Sequence, residues 1–316
     1  MRWRGQRRSD NVEDRRSMRA PSPMGGFGGG GGLLNLLPAV FKLFGFKGGM
    51  VAVLAIGAYA LMSGNLGSIL GGGGGEENLS SYESGPLKQS AEEKILVDFV
   101  SVVLADTEDT WHQIFSQMGG KYEEPNLVLF RGATKTACGF GQAAMGPFYC
   151  PDDHKVYIDL SFYSDLKNRF KAPGDFAQAY VIAHEVGHHV QTLLGISQKV
   201  QKAKRSLSEV EGNKLSVRQE LQADCFAGIW AYHADRSRQL LESGDIDEGL
   251  NAASAIGDDR LQKQSQGYVS PDTFTHGSSA QRVKWFKIGY RSGELKQCDT
   301  FSAKTLQSNL GTDLSL

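Results

Sequence analysis

The sequence predicts an α+β protein, mainly helical with a small β-sheet, that is preceded by one N-terminal transmembrane helix. Three observations support this prediction. Apolar residues recur at helical spacing over residues 90–119, and helical patterns dominate again from 175 to 292. Two runs, 126–132 and 155–163, are rich in strand-forming residues. The stretch 48–70 is apolar and carries no charged residue.

The composition is that of a folded protein. Of the 316 residues, 40% are hydrophobic and 22% are charged, which is enough to bury a core. The net charge of -1 argues against a general nucleic-acid binder. The charge is unevenly distributed, because residues 1–20 contain seven arginines against three acidic residues. The beginning of the chain is therefore basic and the remainder mildly acidic.

The apolar stretch 48–70 lies in a region without charge, between Lys47 and Glu76. About 20 helical residues cross a hydrocarbon core of about 30 Å, so the stretch predicts one membrane crossing. A cleaved signal peptide and a buried core helix are the alternatives. Basic residues precede the stretch and acidic ones follow it. The positive-inside rule therefore places the N-terminus in the cytoplasm and everything after residue 76 outside.

Glycine-rich segments and a helix start mark the domain boundaries. Ser90 begins the string SAEE, which has the form of a capping box with Glu93 three residues later, so the folded domain begins there. The predicted parts are a basic, glycine-rich cytoplasmic head (1–47), the transmembrane helix (48–70), a linker (71–89), the folded domain (90–299) and a flexible tail (300–316).

The four cysteines all follow the apolar stretch. An even number of cysteines in an exported domain permits two disulfides. Of the three possible pairings, Cys138 with Cys150 is the most local, which leaves Cys225 with Cys298. Four reduced thiols in a cytosolic domain are the alternative.

The second strand-like run lies just before the predicted central helices. In residues 155–163, Val156, Ile158 and Leu160 alternate with polar neighbours, which predicts a half-buried strand. Between the two runs lies a glycine-rich loop, CGFGQAAMGPFYC, that one disulfide could close.

A helix predicted over 175–195, with its first residue as the cap and its last as the stop, carries the string VIAHEVGHHV. His184 and His188 project from one face of this helix, where two imidazoles can bind one zinc ion. Glu185 lies beside the first histidine, and its carboxylate can act as general base towards a water at the metal. His189 points about 100° away from His188, so it is predicted to support the site or to lie on the polar face.

A catalytic zinc ion usually takes a third protein ligand. The pattern HExxHxxGxxH is excluded, because Gln191 and Leu194 occupy the required glycine and histidine positions. The downstream string VRQELQADCFAGIW (217–230) supplies Glu220 instead. Asp224, one turn further on the same face, can accept the second ring N–H of a ligand histidine.

A later turn offers a second group that could stabilise an oxyanion. His276 lies just before a helix capped by Ser278 or Ser279, and Arg282 follows six residues later. We interpret His276 as a candidate catalytic residue, since a tetrahedral intermediate normally needs a donor besides the metal. Arg282 can hold a carboxylate or a substrate carbonyl.

These motifs together resemble the neutral zinc metallopeptidases of bacterial membranes, the YpfJ-like group, over nearly the whole chain. Matching strings include MGPFYCP, VYIDLSFY, DFAQAYVIAHEVGHHVQ, LSVRQELQADCFAG and FTHGSSAQR. The motifs are also similar to those of glutamate-ligand zincins, which carry ExxAD after HExxH and a histidine with an arginine six residues on. The resemblance implies a zincin-like metallopeptidase domain that binds Zn2+, with His184, His188 and Glu220 as ligands, Glu185 as base, Asp224 as support, and His276 with Arg282 near the substrate.

The expected function is that of a zinc endopeptidase that hydrolyses peptide or protein substrates. A single span would anchor it in the bacterial inner membrane, with the N-terminus cytoplasmic and the catalytic domain outside. Zincins commonly align their substrate along an edge strand, and 155–163 is the candidate. Two alternatives stay open: an inactive, membrane-tethered scaffold protein with a structural zinc site, and a zinc amidase acting on cell-wall peptides.

Overall fold

The computed structural model describes residues 1–18 and 87–302. The predicted span at 48–70, the glycine-rich segments and the tail after residue 302 lie outside the described residues. Within the two described ranges, no helix has both the length and the apolar character needed to cross a membrane. The span therefore stays a prediction.

The described residues form an α+β unit, mainly helical with a small sheet, as predicted. The strands are β1 (Val12–Asp14), β2 (Asn126–Phe130), β3 (Ala133–Thr136), β4 (Gly139–Gln142), β5 (Phe148–Cys150) and β6 (Lys155–Asp159). The helices are α1 (Ala91–Gln117), α2 (Ser161–Asn168), α3 (Asp175–Leu193), α4 (Ile196–Lys204), α5 (Glu209–Arg236), α6 (Asp245–Ala255), α7 (Asp258–Gln266) and α8 (Ser279–Ser292).

The main sheet has the strand order β1-β2-β6-β5. Strands β1, β2 and β6 are parallel, whereas β5 is antiparallel to β6 and forms one edge. Strand β6 is therefore internal, and the half-buried edge strand predicted over 155–163 is wrong. The alternation of polar and apolar residues does not mark an exposed face, because both faces of the strand are covered. Val156 and Ile158 face the main core, and Tyr157 packs in a smaller cluster with Phe130.

The predicted run 155–163 also contains a change of structure. Strand β6 ends at Asp159, whose carboxylate accepts the N–H of Ser161 over 2.9 Å. Helix α2 begins at that serine. An aspartate that binds the backbone two residues later favours a turn over continued strand, which explains why the strand stops there.

Residues 1–18 belong to the same unit as residues 87–302. Strand β1 pairs with β2, and Ser9 donates its N–H to the carbonyl of Ser101 over 3.0 Å. Arg15 likewise donates its N–H to Leu129 over 2.8 Å. The first 18 residues are thus part of the folded domain, which differs from the prediction of a separate head over 1–47.

Helix α1 begins as the sequence predicts. The Ser90 hydroxyl accepts the N–H of Glu93, and the Glu93 carboxylate accepts the N–H of Ser90, both over 3.1 Å. This reciprocal pairing satisfies two amides that a helix start would otherwise leave unbonded. Phe99 and Trp111 on the same helix are buried in the core, whereas Ile95 in its first turns is exposed.

Helices α5 and α8 approach each other at glycines. A Cβ atom at Gly289 would lie 1.9 Å from the carbonyl oxygen of Cys225, so only glycine fits there. Disulfide Cys225–Cys298 ties α5 to the turn after α8, and Cys138–Cys150 ties β5 to the β3–β4 hairpin. Of the three pairings that the sequence left open, the structure has the one with the most local bridge.

Candidate metal centre

Helix α3 runs through the centre of the domain, and this position determines the environment of its polar residues. It begins at Asp175, with Gly174 as the N-cap and no side-chain cap, so the predicted aspartate cap is displaced by one residue. Apolar residues bury it on several sides, against the sheet and the neighbouring helices. His184, Glu185 and His189 are consequently buried, and buried polar groups require partners or a function.

The structure brings His184, His188 and Glu220 together. Each offers one ligand atom, and these atoms lie within 4.8 Å of one another. Glu220 Oε2 lies 3.1 Å from His184 Nε2, and Glu220 Oε1 lies 3.3 Å from His188 Nε2. Tetrahedral ligands about 2.1 Å from a zinc ion lie about 3.4 Å apart. Two imidazole nitrogens and the Glu220 carboxylate at these separations can hold a zinc ion.

The two helices meet at Gly187, between the two histidines. A Cβ atom there would lie 3.0 Å from the carbonyl oxygen of Ala223, so α3 and α5 are in close contact one turn beyond Glu220. The short distance between the helix axes lets the Glu220 carboxylate reach both imidazoles. The glycine of the HEVGH string therefore serves helix packing.

Each histidine is held by a hydrogen bond at its other ring nitrogen. Asp224 Oδ1 lies 2.9 Å from His184 Nδ1, as the sequence predicts for a supporting carboxylate. Gln191 Oε1 lies 2.9 Å from His188 Nδ1, and Gln191 Nε2 donates to the carbonyl of Gln219 over 2.7 Å. Such contacts orient the Nε2 atoms of both imidazoles towards Glu220. This role of Gln191 was not predicted from the sequence, although its position three residues after His188 indicates that the two side chains are neighbours on the helix.

Arg282, predicted as substrate or oxyanion support, lines the cleft, and its guanidinium is bound to other residues of the protein. Its side chain is 2% exposed, and Nε and Nη2 donate to the two Asp224 oxygens over 2.8 and 2.9 Å. Nη2 also donates to the Tyr180 hydroxyl over 3.1 Å, and that hydroxyl donates to Asp224. Arg282 thus neutralises the carboxylate behind His184. Tyr180, one turn before His184 on the same face, was not predicted.

The carboxylates dominate the electrostatics of the centre. Burial lowers the pKa of His184, but Asp224 and Glu220 outweigh it and raise the pKa to about 10. Burial raises the pKa of Glu220, yet the two histidines bring it well below its usual range. The arrangement therefore favours positive charge between the histidines and the carboxylates. A divalent cation supplies such charge and releases the imidazole protons when it binds.

A cleft of about 1490 Å³ opens onto the centre, and Glu185 lines it together with the three candidate ligands. Phe148 and Tyr149 of β5 line another wall. Since β5 is the sheet edge beside the cleft, it occupies the place that the sequence analysis assigned to residues 155–163. Val200 of α4 also lines the cleft.

His276 lines the same cleft, and its side chain is 52% exposed. Asp258 holds the turn that carries it. Asp258 Oδ2 accepts backbone N–H groups from Thr275, His276 and Gly277 over 2.7, 2.6 and 3.0 Å. Ser278 is the N-cap of α8, in agreement with one of the two predicted caps. The hydrogen bond to Asp258 outweighs partial burial and raises the pKa of His276.

His189 faces away from the three candidate ligands, as predicted. Its Nε2 atom donates to the carbonyl of Glu123 over 2.7 Å, and its Nδ1 atom lies 3.1 Å from the Tyr149 hydroxyl. Burial lowers its pKa to about 4. His189 therefore joins α3 to the edge strand β5.

Comparison with known proteins agrees with this geometry. The model of the family described as "Putative neutral zinc metallopeptidase" matches residues 1–301. "Uncharacterized protein YpfJ" of Escherichia coli (strain K12) is 51% identical over 301 residues, which cover 95% of this chain and 99% of the relative. "Uncharacterized protein Rv2575" of Mycobacterium tuberculosis (strain H37Rv) is 42% identical over 218 residues, covering 66% and 73%. No solved structure matches the chain. The family match spans nearly the whole sequence, and the chain belongs to this family of neutral zinc metallopeptidases.

Proposed function

We propose that the chain is a membrane-associated, zinc-dependent endopeptidase with a zincin-like catalytic domain. The observation that carries this proposal is the convergence of His184, His188 and Glu220 in the lining of an open cleft, which Glu185 lines as well. Catalytic zinc sites have three protein ligands and an open position, whereas structural sites are closed by four. The cleft and the three-donor set therefore favour catalysis over the scaffold alternative.

The residues of the centre divide the chemistry among them. Zinc, when bound, polarises a peptide carbonyl and lowers the pKa of a water molecule. Glu185 accepts the proton of the attacking water and passes it to the leaving amine. His276, which lines the same cleft, donates to the carbonyl oxygen as negative charge develops. Asp224, neutralised by Arg282, keeps His184 oriented.

The substrate is proposed to be an extended peptide segment. Among the described residues, strand β5 pairs with β6 along one side, and its other side offers backbone groups to a substrate next to the centre. An extended peptide can add to such an edge as a further strand. This placement supports cleavage within a chain, and an unfolded protein is the suitable test substrate.

The two disulfides support a location outside the cytoplasm. Cys138–Cys150 and Cys225–Cys298 account for all four cysteines, and disulfides persist in oxidising compartments such as the periplasm. We propose that the catalytic domain is extracytoplasmic and that residues 48–70 associate it with the bacterial inner membrane.

Two substitutions test the mechanism. Glu185→Gln is expected to keep its zinc and to lose about 100-fold or more of its activity on unfolded casein, because general-base catalysis contributes about 10²–10⁴. Glu220→Ala is expected to lose its zinc. Glu211→Gln, an exposed position on the same helix as Glu220, is the matched control and should retain both.

Elemental analysis and casein digestion, with and without a chelator, supply the measurements. Cleavage by Glu185→Gln at the wild-type rate would contradict the general-base role. Activity that survives complete removal of metal would contradict the zinc assignment. Digestion of cell-wall peptides in parallel separates an endopeptidase from an amidase, since only an amidase would prefer them to casein.

A further inference from the structure

We infer that Asp258 is a positioning residue, which holds His276 towards the cleft so that its Nε2 atom is free to meet a substrate carbonyl. This inference rests on the proposed function. The inference goes beyond the proposed function, because Asp258 lies 38 residues beyond Glu220 and belongs to no recognised metal motif. The contacts of one carboxylate carry the argument.

Asp258 binds the turn 275–277 from both directions. Its Oδ2 atom accepts three backbone N–H groups, and its own N–H donates to the carbonyl of Gly277 over 2.9 Å. Its Oδ1 atom lies 3.3 Å from His276 Nδ1. A buried carboxylate that binds both the backbone and the ring of one histidine leaves that histidine little freedom to turn.

The same turn is fitted to the helix that carries Glu220. Gly277 has φ +92°, and a Cβ atom there would lie 3.2 Å from Leu221 and from Val217 of α5. Asp258 therefore fixes His276 relative to the metal centre. Hydrogen bonding from Nδ1 to Asp258 leaves Nε2 as the donor available in the cleft.

Three charged side chains act on the His276 imidazole. The carboxylates of Asp258 and Glu220 favour its protonated form, and the guanidinium of Arg282 opposes it. His276 Nδ1 lies 3.3 Å from Asp258 Oδ1 and 3.0 Å from the Thr275 hydroxyl. Of these two partners only Asp258 carries a charge, so its removal should have the largest effect on the pKa of the imidazole. Zinc, when bound, adds a further positive charge, which makes the carboxylate contact more important for keeping the proton.

Asp258→Asn tests the inference in the full-length, zinc-loaded protein. We expect the pKa of the His276 imidazole, followed by NMR of ¹⁵N-histidine-labelled protein, to fall by about one pH unit. The alkaline limb of the kcat/KM profile on casein should move in the same direction. Asp272→Asn, an exposed position on the preceding turn, is the control and should leave both unchanged.

Two further variants distinguish a loss of folding stability from a specific effect on His276. Asp259→Ala removes the hydrogen bonds that Ser279 donates to Asp259 Oδ1 and should lower thermal stability without moving the pKa of His276. In a His276→Gln background, Asp258→Asn should cause no further loss of kcat/KM. An unchanged pKa of His276 in Asp258→Asn, or an equal loss in both backgrounds, would overturn the inference. The NMR titration decides it even if the protein cleaves no peptide.

The first 18 residues support a second, independent inference about the membrane. The structure assigns residues 1–18 and residues 87–302 to the same compartment, so the number of membrane crossings between them is even, zero included. Strand β1 forms a three-residue parallel ladder with β2, and Ser9 and Ser101 exchange further hydrogen bonds. One crossing between residues 18 and 87 would put these partners on opposite sides.

Several of the arginines that suggested a cytoplasmic N-terminus have acidic partners among the described residues. Arg7 binds Glu108, and Arg8 binds Asp98, at N–O distances of 3.0 Å. Arg16 is buried and binds Asp14 over 2.6 Å. Because these arginines are paired with carboxylates of the folded domain, they give a weaker reason to place the N-terminus in the cytoplasm by the positive-inside rule.

Cysteine labelling tests this inference in the full chain. Asp10 and Lys263 are exposed positions in the two parts of the unit, and the native cysteines are all in disulfides. Asp10→Cys and Lys263→Cys should react to the same extent with a membrane-impermeant maleimide in spheroplasts. Both should react fully after detergent lysis. Labelling of only one of the two in spheroplasts would overturn the inference.

Discussion

Replacing Arg282 with methionine tests the charge network behind the metal centre. Methionine keeps much of the side-chain length and removes the guanidinium. Asp224, which is 0% exposed, then loses two charge-assisted hydrogen bonds and keeps those from Tyr180 and His184. Leaving one member of a buried ion pair without its partner costs about 3–5 kcal/mol. We expect a loss near 3 kcal/mol, because two hydrogen bonds to the carboxylate remain.

Urea unfolding at pH 7, with a chelator and with zinc, measures this loss. Lys296→Met is the control, since its ion pair with Glu294 is exposed and should contribute less than about 0.5 kcal/mol. Adding Asp224→Asn to Arg282→Met should restore part of the stability, because the unpaired charge is removed. Zinc affinity should also fall by about 10–100-fold, because Asp224, which orients His184, is no longer held in place by Arg282.

The result also decides between two roles for Arg282. If the variant unfolds at the same urea concentration as the wild type but loses peptidase activity, Arg282 acts on the substrate, as the sequence pattern predicted. In that case the reasoning from the buried ion pair is wrong. A loss of stability and of zinc together supports the structural role.

Three further predictions concern stability. Cys298→Ser opens the disulfide with Cys225, which closes a separation of 73 residues, and should lower the free energy of unfolding in urea by about 4 kcal/mol; an unchanged midpoint would contradict this. The pKa of His189, about 4 in the folded protein, lies below its unfolded value near 6.5, so stability should fall on acidification between these values, by about 3 kcal/mol. His189→Gln should flatten that dependence in urea titrations at pH 4.5 and 6.5, and an equally steep dependence would argue against it. Gly289→Ala should lower the free energy of unfolding by about 1–3 kcal/mol or more, because its Cβ atom would collide with backbone. Gly212→Ala, whose Cβ atom would make ordinary contacts, should be neutral or stabilising in thermal unfolding. Equal effects of the two substitutions would refute the packing argument.

The parts of the molecule that depend on local spacing were predictable from the sequence. The capping box at Ser90 needs only residues three apart, and it is present. His184 with His188, and Glu220 with Asp224, lie four apart on their helices, so each pair shares a face. The sequence also predicts that these two faces meet, because polar residues on a buried helix need partners and each face carries such residues.

Non-local contacts were less accessible. Strand β1 is three residues long and lies in a basic segment, so it has no recognisable alternation. The role of Arg282 depends on Asp224, 58 residues earlier, and a sequence does not show which carboxylate an arginine will meet. Strand β6 alternates like an edge strand, yet its position is set by β2 and β5 on either side.

The discontinuous domain has a practical consequence for producing the protein. A fragment that begins at Ser90, where the sequence suggests a boundary, would lack β1 and expose the outer edge of β2, including the amide of Leu127 that now donates to Asn11. Uncovered apolar strand edges promote aggregation. A recombinant version should instead join residue 18 to residue 87 through a flexible linker, so that strand β1 is produced together with the sheet it completes.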